Sequence, residues 1–360
     1  MKKFVNSMLI TLAVLSAILV GVLLYNTFIS LRKERPEVIE VENEAVAKPE
    51  ITEKPTPTPL PDNMFEMQGT FYTYDEVDYE MYLNDDAPLY PLPDESETMM
   101  KKAGYNLPVQ VIGEITIDKT DWCKVISDEE AGFLKKAYLM NEEVNIPIPY
   151  PANMTKPTTA KDVLFIGNSI TVYPATEDWW GSGWGMGASG PDNDWVHQVI
   201  AATGMGAFDI TSMRSWEFSK TRNSELSDLD PFVSAYKYKY VVIMLGENCN
   251  QRVSVLSSDL TDMITYIKAW NPETKVVLID NFWPNPTVSE IKKEACENTG
   301  SSLIRLNGVA GVDSYIWHKD EVYTAPDGKE YTVNKNLAKH PNDEGYKAIA
   351  DKVIAWFQTH

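Results

Sequence analysis

From Lys161 to the C-terminus, short apolar runs alternate with stretches whose apolar positions recur every three or four residues. The runs at 163–166 (VLFI), 207–211 (AFDIT), 240–245 (YVVIML), 275–280 (KVVLID) and 302–306 (SLIRL) predict strands. The periodic stretches at 193–203, 253–270, 287–298 and 343–358 predict amphipathic helices. The strands are apolar throughout rather than alternating, as in a parallel sheet covered on both faces. Region 161–360 is therefore expected to be α/β, a three-layer sandwich around a five-stranded parallel sheet with right-handed crossovers. Ligands in such sheets sit at the carboxyl ends of the strands, so the turns after 163–166 and after 240–245 share one edge.

Residues 65–143 follow another pattern. "GTFYTYDEV" alternates apolar and polar, and "NLPVQVIGEI", "DWCKVIS" and "GFLKKAYL" follow, broken by Gly, Pro and Asp. Short strands with turn signals and no helix predict a small β-barrel over 63–143. Four prolines mark 144–160 as a linker outside helices and central strands.

At the other end, Lys2 and Lys3 precede the uncharged stretch "MLITLAVLSAILVGVLLY" at 8–25. Extended to Leu31, it is long enough to cross a bilayer core of about 30 Å as a helix. No small-residue cleavage site follows it, so 1–33 is expected to be an uncleaved signal anchor with the bulk of the chain outside. Residues 34–62 carry eight acids, three bases and frequent prolines. Such a segment cannot bury enough apolar surface to offset its chain entropy and is expected to be an extended tether.

Composition narrows the choice of partner. Lys plus Arg number 32 against 52 Asp plus Glu, a net charge of −20, which argues against nucleic acid. Cys123, Cys249 and Cys296 fit no disulfide framework or metal spacing and are expected to be free buried thiols. His197, His318, His340 and His360 are scattered, with no HExxH-type pair, so neither a metal nor a cofactor is expected.

The chemistry lies in the loops after the strands. Gly167-Asn168-Ser169 follows "VLFI", Gly246-Glu247-Asn248 follows "YVVIML", and His340 stands before the last helix in "KHPNDEGYKAIADKV". A serine to attack, a histidine to take its proton and an amide to hold an oxyanion are what acyl transfer requires.

These same segments resemble the SGNH hydrolase superfamily, the GDSL esterases, a flavodoxin-like fold. "FIGNSIT" resembles the block that holds the nucleophile, with Asn168 in place of the usual Asp. "LGENC" resembles the block of the oxyanion asparagine, and "HPNDEGYKAIA" the block of the catalytic histidine. The resemblance covers 161–360. It implies Ser169 as nucleophile and His340 as base, with Asn248 and the Ser169 N–H in the oxyanion hole.

Two departures stand out. Leu337 occupies the place of the family's orienting Asp. A backbone carbonyl, Asp320 or Asp327 is left to orient His340, while Asp343 reads as the N-cap of the last helix. The family's glycine block after the second strand is missing: "AFDITSM" runs into Arg214-Ser215-Trp216-Glu217. A further oxyanion donor is then the N–H of Ser215, or one from Gly185 or Gly187 in "GSGWGMGAS", which resembles a Trp-Gly-Met segment of some subfamilies. Trp184, Trp216, Glu217 and Trp283, with Trp179 and Trp180, are expected in loops near the site, where aromatic rings suit sugars.

Ala87 to Leu139 resembles a bacterial SH3 domain, from its "APLY" start through "VQVIGE" and Trp122 to "GFLKKAYL". That resemblance implies contact with wall peptide or glycan, unless the region is a spacer. The combined expectation is a membrane-anchored, extracytoplasmic serine esterase that removes acyl groups, acetyl above all, from a carbohydrate. The alternatives are a carbohydrate O-acyltransferase and a catalytically degenerate surface protein that binds the cell wall.

Overall fold

The computed structural model describes residues 61–176, 179–325 and 328–360. The expected membrane segment and nearly all of the acidic tether lie outside the described residues. Among the described residues, no helix is long and apolar enough to cross a membrane.

The N-terminal part is all-β and antiparallel. Strands β1 (Met64–Met67) and β2 (Thr70–Thr73) form a hairpin, as do β4 (Ala87–Leu89) and β5 (Lys101–Ala103). Strands β3 (Asp75–Leu83), β6 (Pro108–Ile117), β7 (Thr120–Ser127), β8 (Glu130–Lys135) and β9 (Leu139–Met140) form one sheet in the order β8-β7-β6-β3-β9. Alternation along these strands fills two small cores. One gathers Leu83, Leu89, Val111, Val125 and Leu134, and the other Tyr74, Ile117, Trp122 and Phe133.

The second part is built on β10 (Thr159–Gly167), β11 (Phe208–Ser212), β12 (Tyr236–Met244), β13 (Lys275–Ile279) and β14 (Ser302–Ile304). They form a parallel sheet in the order β11-β10-β12-β13-β14. Around it lie α1 (Trp195–Thr203), α2 (Arg214–Phe218), α3 (Leu256–Trp270), α4 (Pro286–Thr299) and α5 (Asp343–Phe357).

The continuous apolar runs explain the layering. Successive side chains point to opposite faces, so each run feeds two cores. Leu164 and Ile166 of β10 join Val241 and Ile243 of β12 in a core with α3 and α4. Val163 and Phe165 join Tyr240 and Val242 in a core with α1 and α5. All four residues of "VLFI" are fully buried. Local chemistry ends the helices: Asp194, Asn285 and Asn342 cap α1, α4 and α5, and Gly204 and Gly300 close α1 and α4 in the left-handed conformation.

Three boundaries differ from the sequence reading. Strand β10 begins at Thr159, inside the expected linker, because Thr159–Lys161 pairs with Tyr236–Tyr238. That pairing also starts β12 four residues early, across lysines that hide the strand in the sequence. The N-cap of the last helix is Asn342, whose Oδ1 accepts the Gly345 N–H at 2.9 Å. Asp343 instead accepts the Ser189 N–H at 2.8 Å and the Ser189 hydroxyl. An unexpected hairpin, β15 (Val322–Thr324) with β16 (Glu330–Thr332), lies between β14 and α5. The β and α/β parts belong to one compact unit.

Candidate active site

Ser169 stands two residues past the end of β10, in a tight turn whose backbone is held by Asn168. The Asn168 carbonyl accepts the N–H groups of Thr171 and Val172, both at 3.0 Å, and its Oδ1 accepts that of Ile170 at 3.0 Å. Gly167 is required here because the Thr171 side chain fills the place where a Cβ would go. The Ser169 carbonyl accepts the Met186 N–H, while its own N–H has no partner among the described residues.

Ser169 Oγ lies 3.0 Å from His340 Nε2. The other ring nitrogen, Nδ1, lies 3.2 Å from the Leu337 carbonyl oxygen, which also accepts the His340 backbone N–H at 3.1 Å. A carbonyl can only accept, so Nδ1 carries the proton and the Nε2 lone pair faces the serine hydroxyl. Asn334 Oδ1 holds this turn by accepting the N–H groups of Asn336 and Leu337. Ser169 and His340 are only 7% and 8% exposed. Burial disfavours the charged ring and pushes the His340 pKa down to about 4, against the opposing pull of the Leu337 and Asn336 carbonyls. The ring is therefore neutral at physiological pH.

Of the acids considered as orienters, Asp320 is exposed and pairs with Lys319 at 3.5 Å, and Asp327 lies outside the described residues. The backbone carbonyl takes the role because Leu337 is buried among Trp179, Met186 and Val333 and cannot present a polar side chain.

Asn248 reaches the site through Glu217, a buried carboxylate with four donors around it. Glu217 Oε2 accepts from Asn248 Nδ2 at 2.6 Å. Its Oε1 accepts from Asn168 Nδ2 at 3.1 Å, the Gly246 N–H at 2.6 Å and the Asn248 N–H at 3.4 Å. One acid thus ties the residue before Ser169 to Asn248. The amide of Asn248 has two N–H bonds, of which Glu217 takes one. Glu217, expected to line the substrate, sits beneath the site instead. Its sequence signal was faint: a lone acid between Trp216 and Phe218.

The remaining expected residues separate. Trp283 stands beside the histidine, its ring perpendicular to the imidazole at 5.3 Å and its Nε1 anchored on the Lys339 carbonyl at 2.7 Å. Glu247 holds that segment by accepting the Phe282 N–H at 2.6 Å and the Trp283 N–H at 3.4 Å. Burial raises the Glu247 pKa, opposed by the charge of Lys292; no local pattern around Glu247 signalled this role. Trp216, expected to line the site, is fully buried in the core beneath the sheet. Trp184 packs against Trp179 at 5.8 Å. The Gly185 N–H, expected in the oxyanion hole, donates to Asp194 Oδ2 at 3.2 Å and is spent on tying its loop to α1. Ser215 is exposed in the first turn of α2, where helix donors lack intrahelical partners, on the same sheet edge as Ser169.

All three cysteines are buried and free. Among the described residues no group of three or more His, Cys, Asp or Glu is placed to hold a metal ion.

No family model matches the chain, and no curated protein matches it. Several solved structures resemble it in fold. One is a carbohydrate esterase whose active site displays divergent catalytic and non-catalytic binding functions, at 13% identity over 81% of this chain and 89% of that one. A family two carbohydrate esterase from Cellvibrio japonicus is 10% identical over 79% and 86%. The salicylyl-acyltransferase SsfX3 from a tetracycline biosynthetic pathway is 14% identical over 78% and 80%. Each superposes with a TM-score of 0.37. At those values the likeness carries no argument about this chain, and the chemistry is read from the site's own atoms.

Proposed function

We propose that the chain is an SGNH-type serine esterase that removes short acyl groups, acetyl above all, from a carbohydrate. The observation that carries this reading is the hydrogen-bonded line from Ser169 Oγ to His340 Nε2 and from Nδ1 to the Leu337 carbonyl. It presents a serine to a neutral base of the right tautomer, as nucleophilic catalysis needs.

In this reading Ser169 Oγ attacks the ester carbonyl as its proton passes to Nε2. The oxyanion is met by the Ser169 N–H and the remaining Asn248 amide N–H, with the Ser215 N–H as a third donor. Collapse expels the sugar hydroxyl, which leaves with the proton from Nε2. Water then repeats the sequence on the acyl-enzyme. An aromatic ring beside His340 supports a sugar as leaving group: Trp283, perpendicular to the imidazole at 5.3 Å. The apolar segment at 8–25 and the acidic tether support a membrane-anchored enzyme working outside the cell, and the SH3 resemblance supports contact with wall material.

The test is hydrolysis of an aryl acetate and of an acetylated polysaccharide by the full chain, beside Ser169→Ala. Acetate release by the native chain alone supports the reading, and equal release by both ends it. Adding an unacylated sugar separates hydrolysis from transfer by whether acyl sugar appears.

A further inference from the structure

We propose that the all-β part braces the loop bearing Asn248, with Asp86 as a positioning residue for the site. The consequence for catalysis rests on the esterase reading; the bracing itself does not.

The loop between β12 and α3 carries Asn248 near one end. Its other end, Arg252–Ser254, is held from outside its own sheet. Asp86, in the turn before β4, is only 6% exposed and is surrounded by donors. Its Oδ2 accepts the Val253 N–H at 2.6 Å and the Ser254 N–H at 3.1 Å. Its Oδ1 accepts the Ser254 hydroxyl and the Tyr105 N–H, the latter at 2.9 Å. The N–H groups of Val253 and Ser254 begin the helical segment that runs into α3, and such donors have no intrahelical partner. Neither Arg252 nor Val255 supplies a side-chain cap. A carboxylate from the β part therefore does what an N-cap residue does, with the favourable sign of charge.

The neighbouring residue is held as firmly. Arg252 sits in the left-handed region at φ +48°, a conformation that persists only where its surroundings fix it. Asp85 Oδ1 accepts its N–H at 3.0 Å, and its guanidinium lies 4.8 Å from the Tyr105 ring centre. That guanidinium also donates to the carbonyls of Ser219 and Lys220, just past α2. Helix α2 carries Glu217, the acid that fixes the Asn248 amide. The β part thus holds two segments together, the loop of Asn248 and the end of the helix beneath it. A spacer or a wall-binding module has no need of a buried carboxylate pointed at this loop.

The experiment uses the full chain and Asp86→Asn, which keeps the shape but removes the charge and turns one of the two acceptor oxygens into a donor. Hydrogen exchange across 245–256 is measured together with kcat and KM on an aryl acetate. The expected result is faster exchange, by about tenfold or more, at Gly246 and Asn248 as well as at 252–254. With it kcat falls by about tenfold or more at little-changed KM, since misplacing a reacting group costs turnover. Asp78→Asn, an exposed β3 carboxylate, is expected to change neither. Faster exchange confined to 252–254, with Gly246 and Asn248 unmoved, would overturn the proposal. Should Asp86→Asn fail to fold, Asp85→Ala removes one bond to Arg252 and is read by the same two amides. If the native chain is no faster than Ser169→Ala, the esterase reading falls while the exchange data still decide the bracing.

Discussion

The carbonyl oxygen of Leu337 accepts the Nδ1–H of His340 at 3.2 Å, in the place where a triad would present a carboxylate. A neutral acceptor fixes ring and tautomer as a carboxylate does. It lends less to the imidazolium formed when the serine gives up its proton. Together with burial, this leaves His340 a weak base held in good geometry, and the pH behaviour follows.

The acid limb of kcat/KM is expected well below the ordinary histidine value, near pH 4, where the buried ring titrates. The base works only when neutral, so activity persists at higher pH and disappears as pH falls through that value. The same shift acts on stability. The unfolded chain binds this proton near pH 6.5 and the folded chain only near 4, so the His340 contribution present above 6.5 is lost as pH falls from 6.5 to 4. A pH profile on an aryl acetate checks the first claim, and an activity limb near 6.5 would refute it.

Ser169→Ala and His340→Ala are each expected to lower kcat by about 10³-fold or more, with the double variant no worse than either single one. Asp320→Asn should leave kcat/KM and its acid limb unchanged, because that acid is exposed and pairs with Lys319. A shifted limb in Asp320→Asn would return the orienting role to an acid.

Glu217→Gln is expected to cost turnover rather than substrate affinity. One carboxylate oxygen becomes an amide that faces donors from Asn168, Gly246 or Asn248. Asn248→Ala should cost about 10²-fold in kcat, as loss of an oxyanion donor does. If Glu217 acts through Asn248, the two losses combine to less than their product. Full additivity in a double-mutant cycle would separate them.

Gly185→Ala and Gly187→Ala are expected to destabilise the fold. A Cβ at Gly185 would meet the Ile170 carbonyl at 2.6 Å and the Tyr346 hydroxyl at 2.7 Å. At Gly187 it would meet the Pro341 carbonyl at 2.6 Å, at a φ of +102° that side chains rarely adopt. Overpacking and backbone strain of this kind each cost about 1–3 kcal/mol. Denaturant melts of the two variants test this, and unchanged midpoints would count against it.

The sheet was legible because its signal is local. Four apolar residues such as Val163 to Ile166 have nowhere to go but two covered faces. Ser169 and His340 were legible as candidates because they sit where strand and helix ends must lie. The alternation of Tyr236 to Lys239 misled, since the lysines hide a stretch that pairs with Thr159–Lys161 and buries Tyr238 in the core. Trp216 misled because a tryptophan beside a strand end fits a binding loop or a core equally well in sequence, and here packing beneath the sheet took it. Glu217 was named for the wrong task, because what an acid does depends on donors 29 to 49 residues away that only the fold brings to it. The chain's own order of residues thus determined the layers and which loops share one edge, while the cap of the last helix fell one residue from its expected place. Tertiary structure alone decided that a carbonyl holds His340, that Glu217 holds Asn248, and that Asp86 reaches across from the β part. The last two are hydrogen bonds across 31 and 167 residues, a nearness that no local pattern encodes; the first spans one turn, but only the fold removes the competing acids.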